Sequence, residues 1–410
     1  MASRIQNFLL FLLFLLLPSQ LSLHLWPSWS FVGGLPVDYL SPALYLTDII
    51  LLALLAISRP KLSISLPIII LCTLNVLFSI SPLVSLYKWL RLLEYFWLFK
   101  YLTYSLQPTT YNLPLSLSVL WTSLLAWGQF LSQHSLGGWW YWLGERPLDP
   151  ALPGIAKIVT PDLNWLTGQL TTGQLWLRPY ATMSHPNALA GFLLVSALVL
   201  KYFTTQSKTG NWLLITGISV ALATVPVTFS RSVLFLEIIL LAAWVTAKIS
   251  NRLLPLIIPL GLALTILLLS IGNPASFSER LLLTKKSISA MAYQPIFGLG
   301  LGTFPIFSYN LQRTTYNPYI NFQPVHNIYL LAASELGLPA LVLIVYWLIK
   351  NLKNSLEIGN WLLIIPVTVV LVTGLVDHYW LTSHQNLLLL TILFSLVYRH
   401  HIPRLDSIWM

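Results

Sequence analysis

The sequence predicts an all-α polytopic membrane protein with about twelve transmembrane helices, and three observations predict it. Of its 410 residues 56% are hydrophobic and 8% charged, with a mean hydropathy of +0.76, a balance outside that of soluble domains. Apolar runs long enough to cross a bilayer, about 20 residues each, recur along the whole chain. The 22 Lys and Arg are scattered between those runs instead of collecting on one face. The net charge of +10 therefore reads as orientation in a membrane and not as a nucleic-acid footprint.

The runs fall near residues 7–23, 40–58, 63–81, 84–105, 113–133, 187–204, 211–229, 232–248, 253–271, 327–349, 360–376 and 384–398. They consume the chain, so residues 1–410 are expected to form a single integral membrane domain. Arg4 before a Leu/Phe run imitates a signal peptide, but no small-x-small cleavage site follows, which predicts a retained first helix. The single cysteine, Cys72, excludes an intrachain disulfide and a cysteine-based metal cluster.

Short cytoplasmic loops collect Lys and Arg. With the N-terminus inside, the cytoplasmic connections carry Arg59 and Lys61, Lys201 and Lys208, Lys248 and Arg252, Lys350 and Lys353, and the tail carries Arg399 and Arg404. The short outer connections near 24–39, 82 and 377–383 contain none. Both termini are thus expected in the cytoplasm. Arg231 is the exception, a basic residue in a short outer loop that calls for a reason other than topology.

Even parity puts both long connections, 134–186 and 272–326, on the outer face, where each is expected to carry short interfacial helices. The first contains GGWWYWLGERPLDP, suited to lying at the interface as an aromatic belt or to stacking on sugar rings. In the second, Leu281, Leu282 and Leu283 beside Lys285 and Lys286 predict an interfacial helix, followed by GLGLG. These glycines follow no strand of a βαβ unit, so a tight turn is expected and not a dinucleotide fingerprint. The eight histidines show no HExxH pattern and no carboxylates at ligand spacing, and no metal is expected.

Topology gathers Arg178, His185, Arg231, Arg280, His326, Asp377, His378 and His384 in outer loops or near outer helix ends. A guanidinium stays charged and binds phosphate with a bidentate fork, so three arginines can hold a pyrophosphate, and each can instead snorkel to lipid headgroups. Histidine can take a proton from a hydroxyl near neutral pH, or merely cap a helix. Within the fourth run, Arg91 and Glu94 share a face at i, i+3, which reads as an internal ion pair or as donor contact.

The fragments RPYATMSHPNALAGF, TFSRS, SER with QPIFGLGLGTF, and VHNIYLLAASELGLPAL come in an order that resembles the O-antigen ligase and O-antigen polymerase superfamily of bacterial membrane glycosyltransferases. The resemblance covers residues 178–350, and the HNxYL block with its ExGxP continuation is the most specific part. It implies a polyprenyl (undecaprenyl) pyrophosphate-linked glycan as donor, and transfer to a glycan, lipid or protein acceptor on the outer face of the bacterial cytoplasmic membrane. Neither metal nor nucleotide sugar is implied. It casts His326 as general base or as the residue orienting the acceptor hydroxyl, Arg178 and Arg280 as donor-phosphate arginines, with Arg231 a third, and Glu335 as a structural partner. His185 departs from the family's pattern and is a second acid/base group or a cap. Asp377 matches an acidic position of the family, with helix capping as the other reading, and His378 and Arg91 are possible accessories.

A lipid-linked oligosaccharide flippase or other transporter is the competing class; it predicts internal repeats and broken helices with polar residues near the midplane, whereas the two halves show no convincing similarity and the polar cluster falls at one interface. A peptidoglycan polymerase of the shape, elongation and division type would lean on an outer-loop carboxylate where this chain offers arginines and a histidine.

Overall fold

The computed structural model describes residues 2–60, 64–105, 111–159, 175–206, 212–249, 274–313, 322–357 and 359–399. The ninth apolar run, 253–271, lies outside the described residues, as do Lys61, Lys208, Arg252 and Arg404. The helices are α1 (Ala2–Leu15), α2 (Leu46–Ser58), α3 (Leu66–Leu77), α4 (Pro82–Ser105), α5 (Asn112–Ser132), α6 (Pro186–Gln206), α7 (Trp212–Thr224) and α8 (Arg231–Ile249). They continue with α9 (Pro274–Tyr293), α10 (Phe304–Arg313), α11 (Ile328–Leu336), α12 (Leu338–Glu357), α13 (Trp361–Gly374), α14 (Tyr379–Thr382) and α15 (His384–Arg399). The chain is mainly helical, as expected. Among the described residues, α5 and α6 are each long and apolar enough to cross a membrane, and α1, α2, α3, α7 and α13 are shorter apolar helices.

The bundle is built around α6, which packs on α5, α7, α8, α13 and α15. Its sequence explains why. Small residues, Ala188, Ala190, Gly191, Ser196 and Ala197, alternate with Phe192, Leu193, Val195, Val199 and Leu200, and all of them are buried. A helix apolar on every side belongs inside a bundle.

Three small antiparallel ribbons decorate the loops. β1 (Ser22–His24) pairs with β4 (Ala43–Tyr45), β2 (Phe31–Val32) with β3 (Leu35–Pro36), and β5 (Lys157–Val159) with β6 (Leu175–Leu177). The tight β2–β3 turn uses Gly33 and Gly34, both at positive φ, and a Cβ on Gly33 would strike the Tyr309 ring of α10. The ribbon thus seats the connection between α1 and α2 on α10.

The tenth apolar run, 327–349, is two helices and not one. Gly337, at φ +87°, separates α11 from α12, because the Leu338 N–H donates to the Pro295 carbonyl at 2.9 Å and a Cβ at 337 would lie 2.1 Å from the Ile296 carbonyl oxygen. The GLGLG segment is the expected tight turn, with positive φ at Gly298, Gly300 and Gly302. It wraps the end of α11. Glu335 accepts from the Gly302 and Phe304 N–H groups at 2.8 and 3.2 Å, and Asn75 of α3 donates to the Phe297 and Glu335 carbonyls. Glu335 is buried and holds this loop in place, the structural part expected of it.

A second buried polar knot joins α2, α4 and α15. Arg91 Nη1 lies 2.6 Å from Asp48 Oδ2 and 2.9 Å from Glu94 Oε2, while Nη2 lies 2.7 Å from His384 Nδ1. Tyr95 Oη is 2.6 Å from that same nitrogen, and Thr47 Oγ1 is 2.6 Å from Nε2. Asp48 Oδ2 also accepts the Tyr45 N–H at the start of α2. A charge this deep is tolerable only when paired, and removing one partner strands the other. Asp48→Ala or Arg91→Ala should each cost about 3–5 kcal/mol, and the double variant little more than either alone. Thermal unfolding in detergent checks this: additive losses would show that the two charges are not partners.

Candidate active site

Asp377 stands where the chain's widely separated polar residues meet. It sits between α13 and α14, is 6% exposed, and divides its oxygens between two partners. Oδ2 accepts from Asn187 Nδ2 at 2.8 Å, and Oδ1 accepts the His378 N–H at 2.8 Å. His326 Nδ1 lies 3.5 Å from Oδ1, in ion-pair range but outside a tight hydrogen bond, and has no other partner. On the far side of Asn187, its Oδ1 accepts from Arg178 Nη2 at 2.7 Å, while Arg178 Nε donates to the Thr228 carbonyl at 2.9 Å. A relay therefore runs from Arg178 through Asn187 and Asp377 to His326 and His378.

Local sequence explains how each residue arrives. Asn327 is the N-cap of α11, accepting the Tyr329 and Leu330 N–H groups at 2.9 and 3.0 Å. Its amide nitrogen donates to the Leu375 carbonyl, tying His326 to the loop that holds Asp377. Gly191, one turn beyond Asn187, has no Cβ, and one there would lie 2.4 Å from the Tyr379 hydroxyl. Gly374 likewise leaves room for Ile328. Bare backbone at these two positions lets α14 close on α6 and α11 close on α13.

Other members of the set surround the relay. Arg280, on α9, donates from Nη1 to the Val376 carbonyl at 2.9 Å. Arg231, the first residue of α8, lies within electrostatic reach of Arg178. The His326 and His378 rings are 5.0 Å apart, and His378 Nδ1 pairs with Thr382 Oγ1 at 2.8 Å. His185 Nδ1 accepts the Asn187 N–H at 3.1 Å at the head of α6, the geometry of a cap. Arg91 and His384 do not join, because the knot with Asp48 and Glu94 engages them. Sequence reasoning passed over Asn187 and Asn327, although both stand inside motifs it used, and Tyr39, whose ring meets His378 edge-on at 5.8 Å.

Burial dominates the electrostatics. It brings Arg178 down to about 10, opposed by Tyr180 and Asp377, so the guanidinium stays charged. His185 and His378 are lowered from 6.5 to about 3 and about 4, chiefly by burial, with Asp377 opposing. Burial alone would raise the Asp377 carboxyl, but the facing imidazoles of His326, His378 and His185 hold it well below the usual carboxylate range. His326, Asp377 and His378 offer ligand atoms within 4.8 Å of one another, a set able to take a cation. Asn187 and Thr382 already engage two of these residues, and Arg178 and Arg280 make the surroundings electropositive.

The lowered histidines fix the sign of a pH effect. Unfolding frees them to take up protons near 6.5, so their stabilising contribution is intact above that pH and lost as pH falls through about 4. The depressed Asp377 does not titrate in this window. The thermal midpoint in detergent should fall between pH 7 and 4.5, and His378→Gln should flatten the slope; a midpoint that does not move would refute the assignment.

No curated protein matches the chain. A family model described as O-Antigen ligase matches residues 187–345, a stretch that holds Asn187, Arg231, Arg280 and His326, with Arg178 just before it and Asp377 and His378 after it. That family consists of glycosyltransferases of the bacterial inner membrane. Over residues 187–345 the chain is thus similar to the O-antigen ligase family.

Proposed function

We propose that this protein moves a glycan from a polyprenyl pyrophosphate to an acceptor hydroxyl at the outer face of the cytoplasmic membrane, inverting the anomeric centre. The observation that carries the reading is the relay: a histidine against a buried carboxylate, the carboxylate linked through one amide to an arginine, and two further arginines close by. Twelve spans with both termini inside would put this end of the bundle outside.

Each residue then has a part. Asp377 Oδ1 draws the His326 Nδ1–H toward itself, and Nε2, which now faces Gln323 Oε1 at 3.1 Å, accepts once the acceptor hydroxyl takes the place of that oxygen. The acceptor O–H gives its proton to Nε2 as its oxygen attacks the anomeric carbon. The bond from that carbon to the pyrophosphate oxygen breaks, and its electron pair leaves with the polyprenyl pyrophosphate. Arg178, Arg231 and Arg280 meet the charge that develops there, the task a metal ion performs in other transferases. Thr228 and Asn187 hold Arg178 through Nε and Nη2, so the guanidinium is fixed before the donor arrives and its Nη1 side is the one left to meet it.

His326→Ala should lower transfer by about 10²–10⁴-fold, the usual worth of a general base. Arg178→Lys should not restore what Arg178→Ala loses, since an ammonium lacks the fork. Purified protein, a polyprenyl pyrophosphate glycan and trial acceptors provide the assay. Full transfer by both alanine variants at unchanged expression would defeat the site. Prolonged EDTA treatment should leave the wild-type rate unchanged; a loss that a divalent ion restores would put a metal where the arginines are assigned.

A further inference from the structure

We infer that Arg146 and Tyr39 form a subsite for an anionic group, a phosphate or a carboxylate, on the acceptor molecule. The inference rests on the glycosyl-transfer reading given above. Neither residue lies in the 187–345 match. Both come from connections that precede it; Tyr39 meets His378 of the relay, and Arg146 reaches the segment between Arg178 and Asn187.

Arg146 is exposed yet held on two sides. Its Nη2 donates to the Ser184 carbonyl at 2.9 Å, next to His185, and its guanidinium carbon lies 4.5 Å from the centre of the Tyr180 ring. Tyr180 is itself buried, with its hydroxyl accepting the Ala156 N–H at 2.7 Å. The neighbouring Glu145 does not neutralise the charge. It is 3% exposed, and Gln129 Nε2 and the Leu136 and Gly137 N–H groups occupy its carboxylate. Among the described residues, no carboxylate oxygen lies within 4 Å of Arg146.

A stacked guanidinium with one N–H engaged and the rest of its fork open is prepared for a bidentate anion. Gln129 also accepts the Tyr180 and Ala181 N–H groups, so the loop bearing Arg146 keeps a fixed register with the segment that follows Arg178. Tyr39 closes the gap. Its ring meets His378 at 5.8 Å, His378 meets His326 at 5.0 Å, and Tyr39 is within electrostatic reach of both Arg146 and Asp377. The phenol therefore links Arg146 to the His378–His326 pair. Arg178 is turned instead toward Thr228 and Asn187, and Arg280 toward Val376. Donor phosphates fall to that second group, which leaves Arg146 for the molecule that brings the hydroxyl.

The test uses the full chain, purified in an amine-oxide detergent and followed by tryptophan fluorescence. Three probes are titrated: octyl glucuronide, its neutral counterpart octyl glucoside, and farnesyl pyrophosphate for the donor side. Wild type should bind the glucuronide at least about tenfold more tightly than the glucoside, a difference of about 1.4 kcal/mol. Arg146→Gln should erase that preference and leave farnesyl pyrophosphate affinity unchanged, whereas Arg178→Gln should weaken farnesyl pyrophosphate alone. Arg146→Lys, which keeps the charge without the fork, should retain part of the preference and decides the matter if the glutamine variant does not elute as a single species. Equal binding of the two glycosides by wild type, or an unchanged preference in Arg146→Gln, would overturn the subsite. Equal weakening of glucuronide and pyrophosphate by Arg146→Gln would move Arg146 to the donor side and overturn it too. Failure of wild type to bind farnesyl pyrophosphate would instead strike the donor reading on which the inference stands.

Discussion

A single buried carboxylate organises this end of the molecule. Asp377 is out of water, and a charge there is tolerable because an asparagine amide, a backbone N–H and an imidazole face it at once. Those partners come from α6, from the adjoining residue His378 and from the residue preceding the α11 cap, so keeping the charge satisfied ties the loop after α13 to α6 and to the start of α11. Without Asp377, Asn187 would lose the acceptor that aims its amide, Arg178 would lose its aim in turn, and His326 would lose its orienting partner. The most costly group in the region is therefore also the one that fixes its geometry.

Backbone close approach is the second constraint, and it is written in glycines. Gly191 admits Tyr379 against α6, Gly374 admits Ile328 against α13, and Gly298 and Gly337 let the GLGLG turn lie on the end of α11. Side chains at these points would push apart the elements that carry the relay. Asn75 and Glu335 then lock the turn with hydrogen bonds to backbone groups. The geometry of the relay thus depends on packing well away from it.

Much of this was legible in the sequence, for physical reasons. The apolar runs gave the helical class, because hydropathy is a local property. Loop charge and parity brought Arg178, Arg231, Arg280, His326 and Asp377 to one group before any contact was known, and the structure gathers them there. What was not legible depends on pairing across the chain. Asn187 meets Asp377 over 190 positions, and Asp48, a lone acid in the second run, finds Arg91 only when α2 and α4 pack. The same pairing takes His384 out of the outer set, since Arg91, Tyr95 and Thr47 claim its ring. The break at Gly337 escaped hydropathy because α11 and α12 are both apolar, and only the docking of residues 295–298 interrupts them.

The central claim is that Arg178 and His326 are set by one shared carboxylate and act as a unit. A double-mutant cycle on kcat/KM for transfer, with Asn187→Ala, Asp377→Ala and the pair, measures this directly. If the relay is a unit, each single variant loses most of the rate that the pair loses, and the double variant is little worse than Asp377→Ala alone. Losses that multiply would show the two residues working independently and would contradict the account.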